Sequence, residues 1–286
     1  MWISLAALRA GLVPYCIATV SVIAASGTAR AQTDYFNTDR GRPLHVQDAV
    51  AIERYAFELQ AAPIRMSRLA GARGVWSIEP ELAYGILSRT QLEIGLPVFV
   101  TEGFGTRPRS GLGALHVSML HALNTETLGL PALALNAALS IPAGSFGPRR
   151  AYPTLGLIAT RTTSLGRIHL NVDGTLGSEL ASDDSRLSGP RGVGYDDLSR
   201  WMAGVALDRT LPLRSMLLGA EVVARQPLIE DADLVWQAAA GVRWQLAPQW
   251  ALDAGVGRSL GEDAEWSITL GAARSFGLIH LFPRSR

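Results

Sequence analysis

Cysteine is nearly absent. The 286-residue chain holds one, Cys16. It falls within Arg9, an apolar run from Gly11 to Ala25, and the small-x-small sequence Thr28-Ala29-Arg30-Ala31. That order of charge, apolar core and cleavage site predicts a secretory leader over residues 1–31, with Gln32 opening the mature chain. Tyr15 before Cys16 is too bulky for a lipoprotein site. The mature chain then has no thiol, which excludes a disulfide, a thiolate metal site and a cysteine nucleophile. Long apolar runs are missing beyond the leader, so a bundle of membrane-spanning helices is excluded. An excess of one charge is missing as well: 26 basic residues stand against 25 acidic ones, with no basic stripe, and nucleic acid is not expected as a partner. Gly-x-Ser-x-Gly and His-Glu-x-x-His motifs do not occur, and no two histidines stand at metal-ligand spacing. No catalytic group, metal or cofactor is therefore expected. The Gly-x-Gly pairs at Gly192 and Gly255 lack the strand-turn-helix context of a nucleotide site.

What is present is alternation. From about residue 50 onward the chain repeats with period two, the signature of half-buried strands. Phe57 and Leu59 alternate with Glu58 and Gln60, Leu82 and Tyr84 with Glu81, and Leu92 and Ile94 with Glu93. Leu115 and Val117 alternate with His116, and Ile168, Leu170 and Val172 with His169, Asn171 and Asp173. Val205 and Leu207 oppose Gly204 and Asp208; Leu218 and Val222 oppose Glu221; Trp266, Ile268 and Leu270 oppose Thr269 and Gly271. Tyr152 to Thr162 alternates least. The count is twelve strands.

Their connections are sorted. Short turns fall at 86–88, 124–127, 163–166, 211–214 and 247–249, and longer polar loops at 101–110, 142–151, 178–198 and 226–233. Short and long alternate along the chain, as in a transmembrane barrel with tight periplasmic turns and longer external loops. The expected fold is thus all-β, an antiparallel up-and-down barrel over residues 49–286. Aromatic placement agrees. Trp76, Trp201, Trp236 and Trp266 begin strands that descend from a long loop. Trp244 and Trp250 flank the short turn at Pro248, and Tyr84 and Phe276 end their strands at the same side. At ~3.3 Å per residue and a tilt near ~40°, the two belts stand roughly 20–25 Å apart, the height of an outer-membrane apolar band. Mid-strand outer positions carry aliphatics and alanine, unlike the bulky core of a soluble barrel.

The opposite face then lines a lumen. Its candidate constriction residues are Arg54, Glu58, Glu81, Glu93, His116, His169, Asn171, Glu221, Arg243 and Asp253. Counting around Pro248, with Leu246 opposite Trp250, sets Arg243 against Asp253 as a cross-strand ion pair. Counting around Leu87 sets Glu81 against Glu93. Those two carboxylates would repel, so either a guanidinium such as that of Arg54 lies between them or one holds its proton. Ala239, Gly241, Gly255, Gly257 and Gly271 keep inner positions small. Twelve strands imply a narrow pore. The polar stretch 32–48, with Arg40 and Arg42, either hangs in the periplasm or folds into the lumen as a plug.

The chain also resembles the outer-membrane family named for the meta pathway of phenol degradation. The likeness runs from about Thr38 to Phe276. It rests on Asp39-Arg40-Gly41-Arg42-Pro43, Gly111-Leu112-Gly113, Ile141-Pro142-Ala143-Gly144 and His169-Leu170-Asn171. Ala220-Glu221-Val222, Gly241-Val242-Arg243 and Leu252-Asp253-Ala254-Gly255-Val256-Gly257 add to it. Ala114 stands where that family often has Asp, and Ala143 where it has Thr. The resemblance implies an outer-membrane channel or transporter passing a small solute. A lipid-modifying barrel would need a serine and a histidine together on the outer wall. His121 faces outward without such a serine, and inward His169 lacks one too. The acids Asp183, Asp184, Asp196 and Asp197 of loop 178–198 suggest a third role, cation-bridged contact with lipopolysaccharide. Thr269, Gly271 and Phe276 resemble the terminal-strand signal read by barrel-assembly machinery, although Arg274 interrupts its apolar series. Expected partners are therefore outer-membrane lipid, lipopolysaccharide, that machinery and a small solute.

Overall fold

The computed structural model describes residues 37–60, 64–69, 74–101, 109–178, 198–230, 232–261 and 265–277. The predicted leader and the acids of loop 178–198 lie outside them. Sixteen hydrogen-bonded segments follow one another: β1 (Ala56–Gln60), β2 (Ile64–Leu69), β3 (Gly74–Ile78), β4 (Glu81–Leu87), β5 (Thr90–Gly95), β6 (Val98–Thr101), β7 (Arg109–Leu112) and β8 (Ala114–Asn124). Then come β9 (Ala132–Pro142), β10 (Tyr152–Thr162), β11 (Arg167–Thr175), β12 (Ser199–Leu211), β13 (Met216–Pro227), β14 (Val235–Ala247), β15 (Trp250–Leu260) and β16 (Glu265–Gly277). Every pairing is antiparallel, and β1 pairs with both β4 and β16. The first eight segments combine two by two into four long staves. The result is a closed, up-and-down barrel of twelve staves.

Three of the breaks lie within the described residues, and two of them have proline as their physical cause. The breaks after β3 and β5 fall at Glu79-Pro80 and Leu96-Pro97, and that after β7 at Gly113. Proline has no N–H for the ladder, so it interrupts a strand. The staves stay joined across these breaks because Leu96 N donates to Pro80 O at 3.2 Å and Gly113 N to Pro97 O at 2.8 Å. A Cβ at Gly113 would stand 2.6 Å from the Phe99 ring, so the close approach requires glycine there.

Burial is inverted relative to a water-soluble protein. Mid-stave Leu155, Leu157 and Val256 are 62%, 60% and 61% exposed on the outer face, while inward His169 is 0% exposed. All six tryptophans expected in the belts stand on the outer wall, 36–47% exposed. Tyr84 and Phe276 flank Phe57 at the barrel seam: the Phe57 ring stacks on Tyr84 at 4.4 Å and on Phe276 at 5.5 Å. The least alternating segment, 152–162, is the full-length strand β10.

Three details differ from the sequence expectation. Leu246 does not face Trp250. A bulge between Gln245 and Ala247 puts Ala247 there, yet Arg243 keeps its place opposite Asp253. Glu81 does not face Glu93, because the turn lies at Ser88-Arg89, with Leu87 paired to Thr90, and not around Leu87: after a one-residue irregularity between Gly85 and Leu87, Glu93 lies opposite Ala83 and Glu81 opposite Gly95. The third is the connection after β8, which is longer than expected, spanning 125–131.

Leu157 sits at mid-height of the apolar band. Replacing it with arginine is expected to cost roughly 2–4 kcal/mol of stability in lipid vesicles, read as a lowered urea midpoint. An unchanged midpoint would contradict a lipid-facing wall.

Candidate functional site in the barrel lumen

Residues 37–52 do not join the wall. They run inside it as a strap, crossing the staves rather than following them. Arg42 reaches Glu58 of β1 at 2.9 Å and Asp253 of β15 at 3.5 Å. A Cβ on Gly255 would stand 2.5 Å from Pro43. Leu44 lies over Gly219 of β13, and Val46 over Gly204 of β12. Further on, Gln47 meets β11, Ala49 meets β10 and Ile52 meets β5. Tyr55 N then donates to Gly85 O of β4 at 2.7 Å, and β1 begins. The strap has visited the wall stave by stave around the lumen.

Its backbone amides are met by wall side chains, because a segment crossing strands has no ladder to join and buried N–H groups need acceptors. Glu221 meets three nitrogens: His45 N at 2.8 and 2.9 Å, Val46 N at 2.8 Å, and His45 Nδ1 at 2.7 Å. Asn171 works both ways, accepting from Gln47 N at 2.9 Å and donating to Gln47 O at 2.8 Å. Thr160 Oγ1 accepts from Ala49 N at 3.0 Å, and Gln91 Oε1 from Ile52 N at 2.7 Å. Leu44 and Val46 pack with Met202, Ala206 and Val223. Ala49 packs with Leu120, Ala122, Ala134 and Ile158. Burying Leu44 and Val46 contributes about 1.5–3 kcal/mol each. The inner wall is thus polar where it meets the strap's amides and apolar where it meets the strap's side chains.

The first described residues fold back across this circle. Asp48 N donates to Thr38 O at 3.1 Å, and Thr38 N to Asp48 Oδ2 at 3.2 Å. Arg40 reaches Asp173 at 2.6 Å. Asp39 sits between two guanidinia, 2.5 Å from Arg42 and 2.8 Å from Arg243. Arg243 also pairs with Asp253 at 3.0 Å and donates to the Asn37 carbonyl. Two arginines and the carboxylates of Asp39, Glu58 and Asp253 thus form one network, with Arg42 1% and Arg243 2% exposed. Removing one member of a buried network strands the others, at several kcal/mol. At this level the lumen is packed.

A second cluster anchors Asp48. Arg167 holds Asp208 at 2.6 Å and Asp48 at 3.3 Å, and His169 Nε2 meets Asp208 at 2.8 Å. The other ring nitrogen of His169 meets Thr160 Oγ1 at 3.0 Å. Hydroxyl, imidazole and carboxylate in this order also build nucleophilic sites. Here the imidazole is wholly buried, and the hydroxyl is taken by the Ala49 amide, so the array holds the strap. Burial pushes the Asp48 carboxyl up to about 6, against the opposing pull of Arg167 and His169.

Of the residues singled out from sequence, Glu58, His169, Asn171, Glu221, Arg243 and Asp253 converge on the strap or its anchors. Glu93 faces inward elsewhere, taking bonds from Gln91 at 2.5 Å and Ser118 at 2.7 Å. His116 bonds Ser140 at 3.0 Å. Glu81 lies beside Gly95. Arg54 is not in the lumen: it is exposed before β1, its guanidinium 4.5 Å from the Tyr55 ring centre. The inner glycines at 241 and 255 do not widen a pore but make room for Pro43. Sequence reasoning missed Gln91, Thr160, Arg167, Asp173 and Asp208 as strap contacts or anchors. Their signal was inward polarity in β5, β10, β11 and β12. Among the described residues, no group of three or more His, Cys, Asp or Glu is placed to hold a metal ion.

No protein-family model matches the chain, and no curated protein matches it. Among solved structures it is similar to an outer membrane channel from Pseudomonas putida F1, at 16% identity over 84% of this chain and 100% of that one, with a TM-score of 0.49. It is also similar to the NanC porin, at 10% identity over 77% and 100%, TM-score 0.46. The KdgM porin, solved in complex with disordered oligogalacturonate, is 11% identical over 77% and 99%, TM-score 0.44. At these levels no residue role passes from those proteins to this chain.

Glu221→Ala leaves the His45 and Val46 amides without an acceptor, a loss of about 1–3 kcal/mol. Hydrogen exchange at residues 44–47 is expected to quicken about tenfold or more, with the barrel intact; unchanged exchange would refute the grip. The Asp48 carboxyl is expected to titrate near 6 by carbon-13 NMR. Because docking raises this pKa from 3.8, its contribution to docking is fully present below about 4 and is lost as pH rises through about 6. A titration near 4 in the folded barrel would contradict the buried placement.

Proposed function

We propose that this chain is a channel of the Gram-negative outer membrane, passing small solutes passively and closed at rest by residues 37–52. The observation that carries this reading is a separate strap seated in a closed barrel on polar side chains and glycine hollows. A permanent core would not need so many polar groups, whereas a removable strap leaves behind a polar-lined path. The apolar outer wall, its two aromatic belts and the predicted leader support the membrane setting. The resemblance to the family of the phenol meta pathway suggests small organic or aromatic cargo. Assembly in this reading uses the barrel-assembly machinery and the β16 signal, and the long loops face lipopolysaccharide.

Planar-bilayer recording tests the proposal. Gly204→Val places a side chain where Val46 now packs and is expected to raise the open fraction several-fold. Joining Leu44→Cys to Gly219→Cys, by oxidation or a short dithiol linker, is expected to hold the channel shut until reductant is added. Conductance unaffected by either change would remove the strap from the conduction path. No current under any condition, with lipid hydrolysis by the refolded protein, would favour a lipid-modifying barrel instead.

A further inference from the structure

The short-turn end of the barrel carries a composition that water-exposed turns do not need. Leucine stands at or beside every short turn: Leu87, Leu128, Leu165, Leu213 and Leu246, between 51% and 104% exposed. Arginines lie along the same end of the barrel. Arg89 is in the first turn and Arg214 in the Pro212–Arg214 turn, with Arg209 facing outward just above it. Arg161 bonds the carbonyls of Thr127, Leu128 and Leu130. Arg274 lies 5.2 Å over the Trp250 ring. Arg54, Arg89, Arg209 and Arg214 are exposed and have no carboxylate partner among the described residues. The acids at this end are Glu53 and Glu126, and Glu126 is matched by Arg161 at 3.6 Å. The chain contains no lysine; all 26 basic residues are arginine.

We propose that this rim is a docking surface for anionic phospholipid: leucines of the short turns enter the interfacial region of the leaflet, and the arginines beside them hold its phosphates. Guanidinium is the side chain that matches phosphate in two parallel bonds. Leucine and arginine side by side divide naturally between acyl chain and headgroup. The leucines continue the apolar outer wall, and the arginines share their level with the Trp244 and Trp250 belt. The leucines stand at all five turns of this end, with arginines distributed among them, as an annulus of lipid requires and a single protein partner with a local footprint does not. The short turns then sit within the headgroup layer rather than in bulk water.

The inference rests on the outer-membrane reading, and its test separates the two. Full-length protein is reconstituted in vesicles of phosphatidylcholine, with or without phosphatidylglycerol. It carries a polarity-sensitive dye on Leu213→Cys or Leu128→Cys. The expected result is quenching by headgroup-level spin-labelled lipid, shielding from aqueous iodide, and phosphatidylglycerol retained on the purified barrel. Retention should fall about fivefold for each guanidinium removed, as in R209Q and R214Q, while insertion is unchanged. Normal insertion with iodide-accessible dyes and no headgroup preference overturns this inference alone. Failure to insert overturns the membrane reading and this inference with it. Shielding that needs added periplasmic protein, and not lipid, overturns it in favour of a protein partner.

Discussion

A peptide amide taken out of water must find an acceptor, and that requirement organises the inside of this barrel. The wall satisfies itself through its own ladder. The strap crosses the staves at an angle to that ladder and has to be met by side chains. Glu221, Asn171, Thr160 and Gln91 each stand opposite an amide of residues 45–52, one per neighbourhood along the path. The glycines at 204, 219, 241 and 255 follow from the same geometry, since side chains there would lift the strap off its acceptors. The polarity and smallness of the inner wall are two aspects of a single seat.

The charges divide the labour differently. Arg42 and Arg243 share Asp39, Glu58 and Asp253, two of the five groups coming from the strap and three from the wall. Ion pairs of this kind add little to stability compared with apolar packing, but they penalise any arrangement that breaks one partner from the rest. The strap is therefore specified in position more strongly than it is stabilised. Specified and removable are compatible demands, and both are what the proposed closure requires.

How much of this was legible beforehand depends on whether a feature has a period. The staves do: Trp236 to Leu246 alternates outward and inward, and the wall follows residue by residue. Arg243 and Asp253 were brought together by counting from the turn, and they stayed together because the bulge at Leu246 lies between them and the turn. The same counting misplaced Glu81 against Glu93, since it centred the turn on Leu87, whereas the chain reverses at Ser88-Arg89 and Leu87 pairs with Thr90. The strap has no period at all. Residues 32–48 read as a polar stretch equally suited to the periplasm or to a lumen plug, and a glycine facing a water-filled lumen is indistinguishable in sequence from one under Pro43. The inward polar groups read as a constriction, and nothing in the sequence tied them to that stretch.

The central claim is that wall carboxylate and strap amide are in direct contact within the membrane-embedded protein. Solid-state NMR recoupling between a carbon-13 carboxyl at Glu221 and nitrogen-15 amides at His45 and Val46, in lipid, measures it directly. The structure predicts strong transfer, matching N···O separations of 2.8–2.9 Å. Absence of transfer, with the β13–β14 contacts intact in the same sample, would contradict a seated strap.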